Sequence, residues 1–423
     1  FNSARVSISG TANNDGTVLS FPTLSAWGGS GDTHTATLSY TADAFYTFDI
    51  TVSDLAGNMA SDYPEDKFFV DTTKPVVEIT GVANQSANNG TVAPVITFSD
   101  TNFDENGTTI TLRGSNNGEV NYARSFAEIT HGRVFTYADF KHAQEVDDLY
   151  ELSAVITDMA GNEARTGIAF SANRFGSVYT FEDTTKAILG KYIQQEQDIV
   201  FIETNVDSLE RDTIKVRLTQ NGIPGDLKEN ADFTVSATGG NGSWSRYRYT
   251  VDKRLLENEG VYSLAVYSVD RAGNVNENID ETKKAEISFG VDKTAPVIVP
   301  VDFESNTQYA VNSKSVDVEI KDNLALKNVE ILLNGERTDY AVNGETYSFT
   351  VGQSNHKQNA EIIATDEAGN AFTVEVNDFL VSTNILARWY NNTPLFFGSL
   401  GGAAAVGIGV ALLLRRKKEK VIA

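Results

Sequence analysis

One pentapeptide recurs four times, and its spacing sets the size of everything else in the chain. YTFDITVSDLAGN begins at Tyr46, YELSAVITDMAGN at Tyr150, YSLAVYSVDRAGN at Tyr262 and QNAEIIATDEAGN at Gln358, and each ends in Asp-x-Ala-Gly-Asn. The four aspartates, Asp54, Asp158, Asp270 and Asp366, are separated by 104, 112 and 96 residues. That is the length of one compact β-sandwich and several times that of a solenoid repeat.

The residues before each aspartate alternate. Tyr46, Phe48, Ile50 and Val52 fall on one face, as do Tyr150, Leu152, Ala154 and Ile156, then Tyr262, Leu264 and Val266, and finally Ala360 and Ile362. A period of two predicts a strand with one face buried. Ala-Gly-Asn then supplies a tight turn, because glycine takes positive φ freely and asparagine tolerates it. A second strand follows, such as Thr166 to Ala172 or Ala371 to Val376. The unit reads as the last hairpin of an immunoglobulin-like sandwich.

A second block recurs after the hairpin: FFVDTTKPVVEI from Phe68, TFEDTTKAIL from Thr180 and FGVDKTAPVIV from Phe289. Proline fixes φ and biases its neighbour away from helix, so the block predicts a short extended junction. The boundaries expected from it lie near 70, 182 and 291. The chain then divides into a domain over 1–70 that lacks its opening strands, three whole domains over 71–182, 183–291 and 292–379, a linker over 380–394, a span over 395–414 and a basic tail over 415–423. The fold class expected is all-β, tandem Ig-like sandwiches followed by a single transmembrane α-helix. Phe1 falls mid-domain with no initiator methionine or signal peptide, so the sequence reads as a fragment.

With these residues in hand, the chain resembles the bacterial Ig-like domains that occur in tandem in surface adhesins, whose copies end in D-x-A-G-N and are joined by VD-x-T-x-P. The resemblance covers roughly residues 46 to 376. Two positions depart from it: Ala187 stands where the junction has proline, and Gln358 where the other strands begin with tyrosine.

The motif aspartates carry the candidate chemistry. Asp54, Asp158, Asp270 and Asp366 end strands beside turns, while Asp71, Asp183 and Asp292 sit in the junction blocks. The simpler reading is that each D-x-A-G-N aspartate accepts hydrogen bonds from its own turn. The other is that Asp54, Asp71, Asp158, Asp183, Asp270 and Asp292 ligate Ca²⁺, which prefers carboxylate, carbonyl and water oxygens. The resemblance implies that such calcium stiffens a rod at its domain junctions. No EF-hand-like loop is present.

From Leu395 to Leu414 the chain runs 20 residues without a charge, about the ~20 that cross a ~30 Å hydrocarbon core. Arg415-Arg416-Lys417-Lys418 follows, and the positive-inside rule keeps that cluster cytoplasmic. This predicts a single-pass type I protein of the cell membrane with its long N-terminal part extracellular. Trp389, Tyr390, Phe396 and Phe397 suit the outer interface. Gly398 and Gly402 have the spacing of a close helix contact. Asn391-Asn392-Thr393-Pro394 before the span is no LPxTG-like sorting pentapeptide, so membrane retention is expected over sortase transfer.

The formal charge is −23, and the tail from Arg415 to Lys420 holds five cations and one anion, which leaves −27 on the rest. Such a chain repels nucleic acid. Cysteine is absent, so there is neither disulfide nor thiolate site and each domain stands on its hydrophobic core. His34, His131, His142 and His356 are scattered without ligand spacing. Asp147-Asp148 reads as a solvated acidic loop. In Trp244-Ser245-Arg246-Tyr247-Arg248-Tyr249 one face of a strand is core and the other is solvated, or else sugar-stacking. The function expected is non-catalytic: a stalk that projects an adhesive or binding N-terminal region. The alternative is the spacer and anchor of a surface enzyme, such as a carbohydrate-active hydrolase, with its catalytic domain upstream. An extracellular protein or glycan ligand would be the partner in the adhesive case.

Overall fold

The computed structural model describes residues 2–419, and side chains through Leu413. Strands dominate, and they gather into four successive units. The second unit displays the plan. Its strand Asp148–Thr157 carries Tyr150, Leu152, Ala154 and Ile156 inward, none more than 1% exposed. It pairs with Thr108–Gly114 on one side and Glu163–Ala172 on the other. A second sheet, in the order Arg124–Ile129, Gly132–Tyr137, Val95–Ser99, Val76–Thr80, lies opposite. Its Ile96, Phe98 and Tyr137 close one core with the first sheet. Each such side chain taken from water contributes roughly 1.5–3 kcal/mol.

Units 3 and 4 repeat this with a strand that changes sheets. Val178–Phe181 pairs with Ile199–Asn205, and Tyr192–Ile193 then joins the opposite sheet parallel to Ile287–Val291. In unit 4, Val297–Val301 and Gln308–Tyr309 divide in the same way. The result is an all-β row of Ig-like sandwiches, as the periodicity predicts. Unit 1 is different: its one four-stranded sheet orders as Thr17–Leu19, Val6–Asn14, Ala44–Val52, Asp66–Val70. Its other sheet is only the two-stranded ribbon Gly28–Ser30 with Thr33–Thr35, and Tyr46 is buried while Val52 on the same face is 38% exposed.

The junction expected near 182 lies inside unit 3. Asp71-Thr72-Thr73-Lys74 and Asp183-Thr184-Thr185-Lys186 are the same tetrapeptide, yet the first has no regular secondary structure and the second forms helix α1, Asp183–Ile188. The fifth residue decides. Pro75 forces Lys74 out of the helical region, whereas Ala187 lets Lys186 N close on Glu182 O at 2.9 Å. The sheet of unit 3 begins at Val178, ahead of α1.

Past unit 4, Asn384 caps helix α2, Ile385–Asn391, by accepting from the N–H groups of Leu386 and Ala387. Gln308 holds α2 against the sandwich by donating to the Arg388 carbonyl at 2.9 Å. Helix α3, Thr393–Glu419, follows after one residue. Its Thr393–Leu413 stretch is 21 residues with mean hydropathy 1.9 and 0% buried in protein, long and apolar enough to cross a bilayer. Trp389 meets Phe396 edge-on at 4.9 Å where α2 turns into α3. Of the basic tail expected over 415–423, residues 420–423 and the side chains from 414 onward lie outside the described residues.

Candidate metal sites at the joints

Each D-x-A-G-N turn is built identically. The glycine takes φ of 90°, 93°, 89° and 93° at Gly57, Gly161, Gly273 and Gly369, a conformation that costs glycine nothing. Asp54, Asp158, Asp270 and Asp366 each accept the N–H of the asparagine four residues on through Oδ1, at 2.8, 2.8, 2.9 and 2.8 Å. The same asparagine's Nδ2 reaches the second oxygen. The simpler reading of these aspartates therefore holds at all four turns, and it leaves each carboxylate with lone pairs to spare.

What the turns are aimed at differs between units. In units 2, 3 and 4 the turn asparagine also reaches the residue that opens the linker: Asn162 Nδ2 donates to Asp71 O at 3.1 Å, Asn274 to Asn173 O at 2.8 Å and Asn370 to Asp292 O at 2.9 Å. Asp71, Asn173 and Asp292 are thus one structural position, immediately after the last strand of the preceding unit. A third position closes the set at the end of a core strand. Asp100 and Asn205 each accept the N–H two residues on through Oδ1, at 2.6 and 2.9 Å, and Asp322 does so through Oδ2 at 3.0 Å.

In unit 2 the set is Asp71, Asp100 and Asp158, and in unit 4 it is Asp292, Asp322 and Asp366. In each triad one oxygen per residue lies within 4.8 Å of the others. Asp292 and Asp366 are 0% exposed. Asp292 Oδ2 and Asp322 Oδ1 are buried with no hydrogen-bond partner, an expensive state for a carboxylate unless a positive charge faces it. Burial pushes the Asp292 carboxyl above its ordinary value, and the charges of Asp322, Asp366 and Glu259 push the same way. Burial likewise raises Asp100, helped by Asp71 and Asp158. Three hard oxygen donors from three chain segments are the chemistry of Ca²⁺ or a similar divalent cation, with carbonyls and water completing the shell.

Asp71 with Asp158, and Asp292 with Asp366, are therefore brought together. Asp54 is not: none of the described carboxylates joins it to form a triad. Nor is Asp183, which opens α1 fully exposed within unit 3, because the block containing it is no linker. Asp270 stands in the third copy of the site among amides, with Asn173 and Asn205 as neighbours. Asp100 and Asp322 went unmarked in the sequence. Their signal is an aspartate at the end of an alternating strand, 29 residues after Asp71 and 30 after Asp292.

A second carboxylate reaches each linker from the unit before it. Asp43 accepts Thr72 N at 2.9 Å, Asp147 accepts Arg174 N and Phe175 N at 2.8 Å, and Glu259 accepts Lys293 N at 2.6 Å. All three directly precede a long strand of their own unit. Asp147-Asp148 is accordingly no solvated loop: the pair is 4% and 0% exposed. Asp148 accepts from Ser115 Oγ and from the N–H groups of Asn116, Asn117 and Leu149. It also accepts Trp244 Nε1 of unit 3 at 2.8 Å. Trp244 thereby joins two units, while Tyr247 and Tyr249 on the other face are core, 4% and 0% exposed.

No protein-family profile matches the chain, and neither does any curated protein. Several solved structures of tandem sandwiches are similar in part. A tetra-tandem repeat from the extending region of a large adhesion protein aligns at 16% identity over 89% of this chain and 92% of that one, TM-score 0.36. Fibronectin(III)-like modules of Clostridium thermocellum CbhA align at 15% over 48% and 94%, TM-score 0.25. The N-terminal eight Ig domains of Down Syndrome Cell Adhesion Molecule align at 11% over 88% and 45%, TM-score 0.31.

Proposed function

We propose that this chain is a non-catalytic, membrane-held stalk whose joints between sandwiches are stiffened in part by divalent cations. The observation that carries the reading is the linker. Residues 71–75, 173–177 and 292–296 are all that separates one sheet from the next, and each linker is gripped from both sides. The preceding unit holds its N–H groups through Asp43, Asp147 or Glu259. The following unit holds its first carbonyl through Asn162, Asn274 or Asn370. Five-residue connections with both ends tied resist bending, and a hinge protein would leave them free.

Helix α3 is the anchor. By the positive-inside rule Arg415 to Lys418 stay in the cytoplasm and the sandwiches project outside. Ca²⁺ at Asp292, Asp322 and Asp366 would face the two buried carboxylate oxygens that have no hydrogen-bond partner, and the matching triad Asp71, Asp100 and Asp158 would take a second ion. What the stalk holds out is a binding or adhesive region, or the catalytic domain of a surface enzyme.

The test is an epitope fused ahead of residue 1 and read on intact cells by antibody. The expected result is full labelling without permeabilisation, reduced when residues 71–291 are deleted and abolished from the membrane fraction when residues 393–419 are removed. Labelling that needs permeabilisation would contradict the orientation, and labelling indifferent to the deletion would contradict the role as a spacer.

A further inference from the structure

The third copy of the site has kept its geometry and changed its chemistry. Where units 2 and 4 place Asp71 or Asp292, unit 3 places Asn173; where they place Asp100 or Asp322, it places Asn205; only Asp270 keeps the carboxylate. All three are buried, at 0%, 0% and 1% exposure. Asn173 Nδ2 donates to Asp270 Oδ2 at 3.1 Å, to Asn205 Oδ1 at 2.9 Å and to Asp207 Oδ2 at 3.0 Å. Asn205 Nδ2 donates to Asp270 Oδ2 at 3.0 Å and to Ser177 Oγ at 2.9 Å. Two amide N–H groups thus point at the oxygen that would otherwise need a cation.

We infer that the joint between units 2 and 3 is a metal-independent version of the same lock, so that the chain takes two divalent cations, at its first and third joints, and none at its middle one. The inference rests on the cation reading of the two aspartate triads. Three observations separate the middle joint from the others. Its linker-opening and strand-end residues are neutral, so the three matching positions carry one carboxylate where the other two sets carry three, with Asp207 beside them held by Asn173 Nδ2 and Ser171 Oγ. The amides turn Nδ2 rather than Oδ1 toward Asp270, while their Oδ1 oxygens accept from Gly176 N and Asp207 N, so they face the carboxylate with donors where a Ca²⁺ ligand would present oxygen. Direct contacts between the units also replace the missing ion: Trp244 Nε1 on Asp148 at 2.8 Å, Arg271 on Gln85 O at 2.6 Å and Ser171 Oγ on Asp207 at 2.8 Å. The row therefore has one fixed joint flanked by two that respond to the cation.

The experiment counts Ca²⁺ by equilibrium dialysis on the full chain in lipid nanodiscs, after removal of metal with chelator. Wild type is expected to bind two ions, Asp322→Asn one, and Asn173→Asp combined with Asn205→Asp three. Wild-type binding of three, with one lost in Asp270→Asn, would overturn the inference and leave the cation reading intact. A double variant that unfolds with the wild-type profile and still binds two would overturn it as well. Wild-type binding of none would overturn the cation reading first and this inference with it.

Discussion

At the scale of single residues, three tyrosines explain how units 1, 2 and 3 start their inner strands. Tyr46, Tyr150 and Tyr262 are 2%, 1% and 0% exposed. Each turns its hydroxyl back to the carbonyl four residues upstream, Ala42, Val146 and Asn258, at 2.8, 2.7 and 2.6 Å. This corner ties the loop before the strand to the strand itself. Tyr262→Phe is expected to destabilise unit 3 by about 1 kcal/mol in denaturant unfolding, the net worth of one such bond. Unit 4 has Gln358 instead, 8% exposed, with Oε1 buried and unpartnered. Gln358→Met should stabilise unit 4 by about 1 kcal/mol by removing that unpaired acceptor. Asp207 gives a pH signature. Burial raises its carboxyl above the ordinary value, against hydrogen bonds from Ser171 and Asn173. The folded protein thus holds this proton to higher pH than the unfolded chain does, and the stability it brings is lost as pH rises through the raised value. Asp207→Asn is expected to raise the melting temperature at neutral pH, with an advantage over wild type that shrinks as pH falls.

At the scale of elements, the strands were legible because burial follows a period of two, and Tyr150, Leu152, Ala154 and Ile156 are inward as that period requires. The D-x-A-G-N turns were legible because one glycine conformation recurs four times. The joints were legible only in part. A tetrapeptide of identical sequence is linker at Asp71 and helix at Asp183, and the proline that separates the cases lies outside it. The true second linker, Asn173-Arg174-Phe175-Gly176-Ser177, shares no residue pattern with the other two. It shares their hydrogen bonds, which a sequence does not display. Asp100 and Asp322 were missed for the same reason, since strand pairing across about 30 residues is what delivers them to the site. Trp244 is the element-level test of the middle joint. Trp244→Phe keeps an aromatic side chain and removes the indole N–H that bonds Asp148. It should cost about 1 kcal/mol and uncouple the unfolding of units 2 and 3, while leaving Ca²⁺ stoichiometry unchanged.

At the scale of the whole molecule, three sandwiches, one unit built on a single four-stranded sheet and one apolar helix follow one another through short connections. The units spend their sequence on cores and on the two-sided grip of short linkers. On the proposal above the joints differ in what faces their carboxylates: a divalent cation would face the two aspartate triads, whereas the Nδ2 groups of Asn173 and Asn205 donate to Asp270. Stiffness along the row would then be conditional on the cation at two joints and unconditional at the middle one. The absence of cysteine makes the claim directly measurable, because paired spin labels can be introduced without background thiols. Labels on Ser125→Cys and Ser236→Cys span the middle joint, and labels on Ser236→Cys and Thr350→Cys span the last one. The account predicts that chelator broadens the Ser236–Thr350 distance distribution, that millimolar Ca²⁺ narrows it again, and that the Ser125–Ser236 distribution is narrow in both. Equal broadening at the two joints, or no response at either, would contradict it.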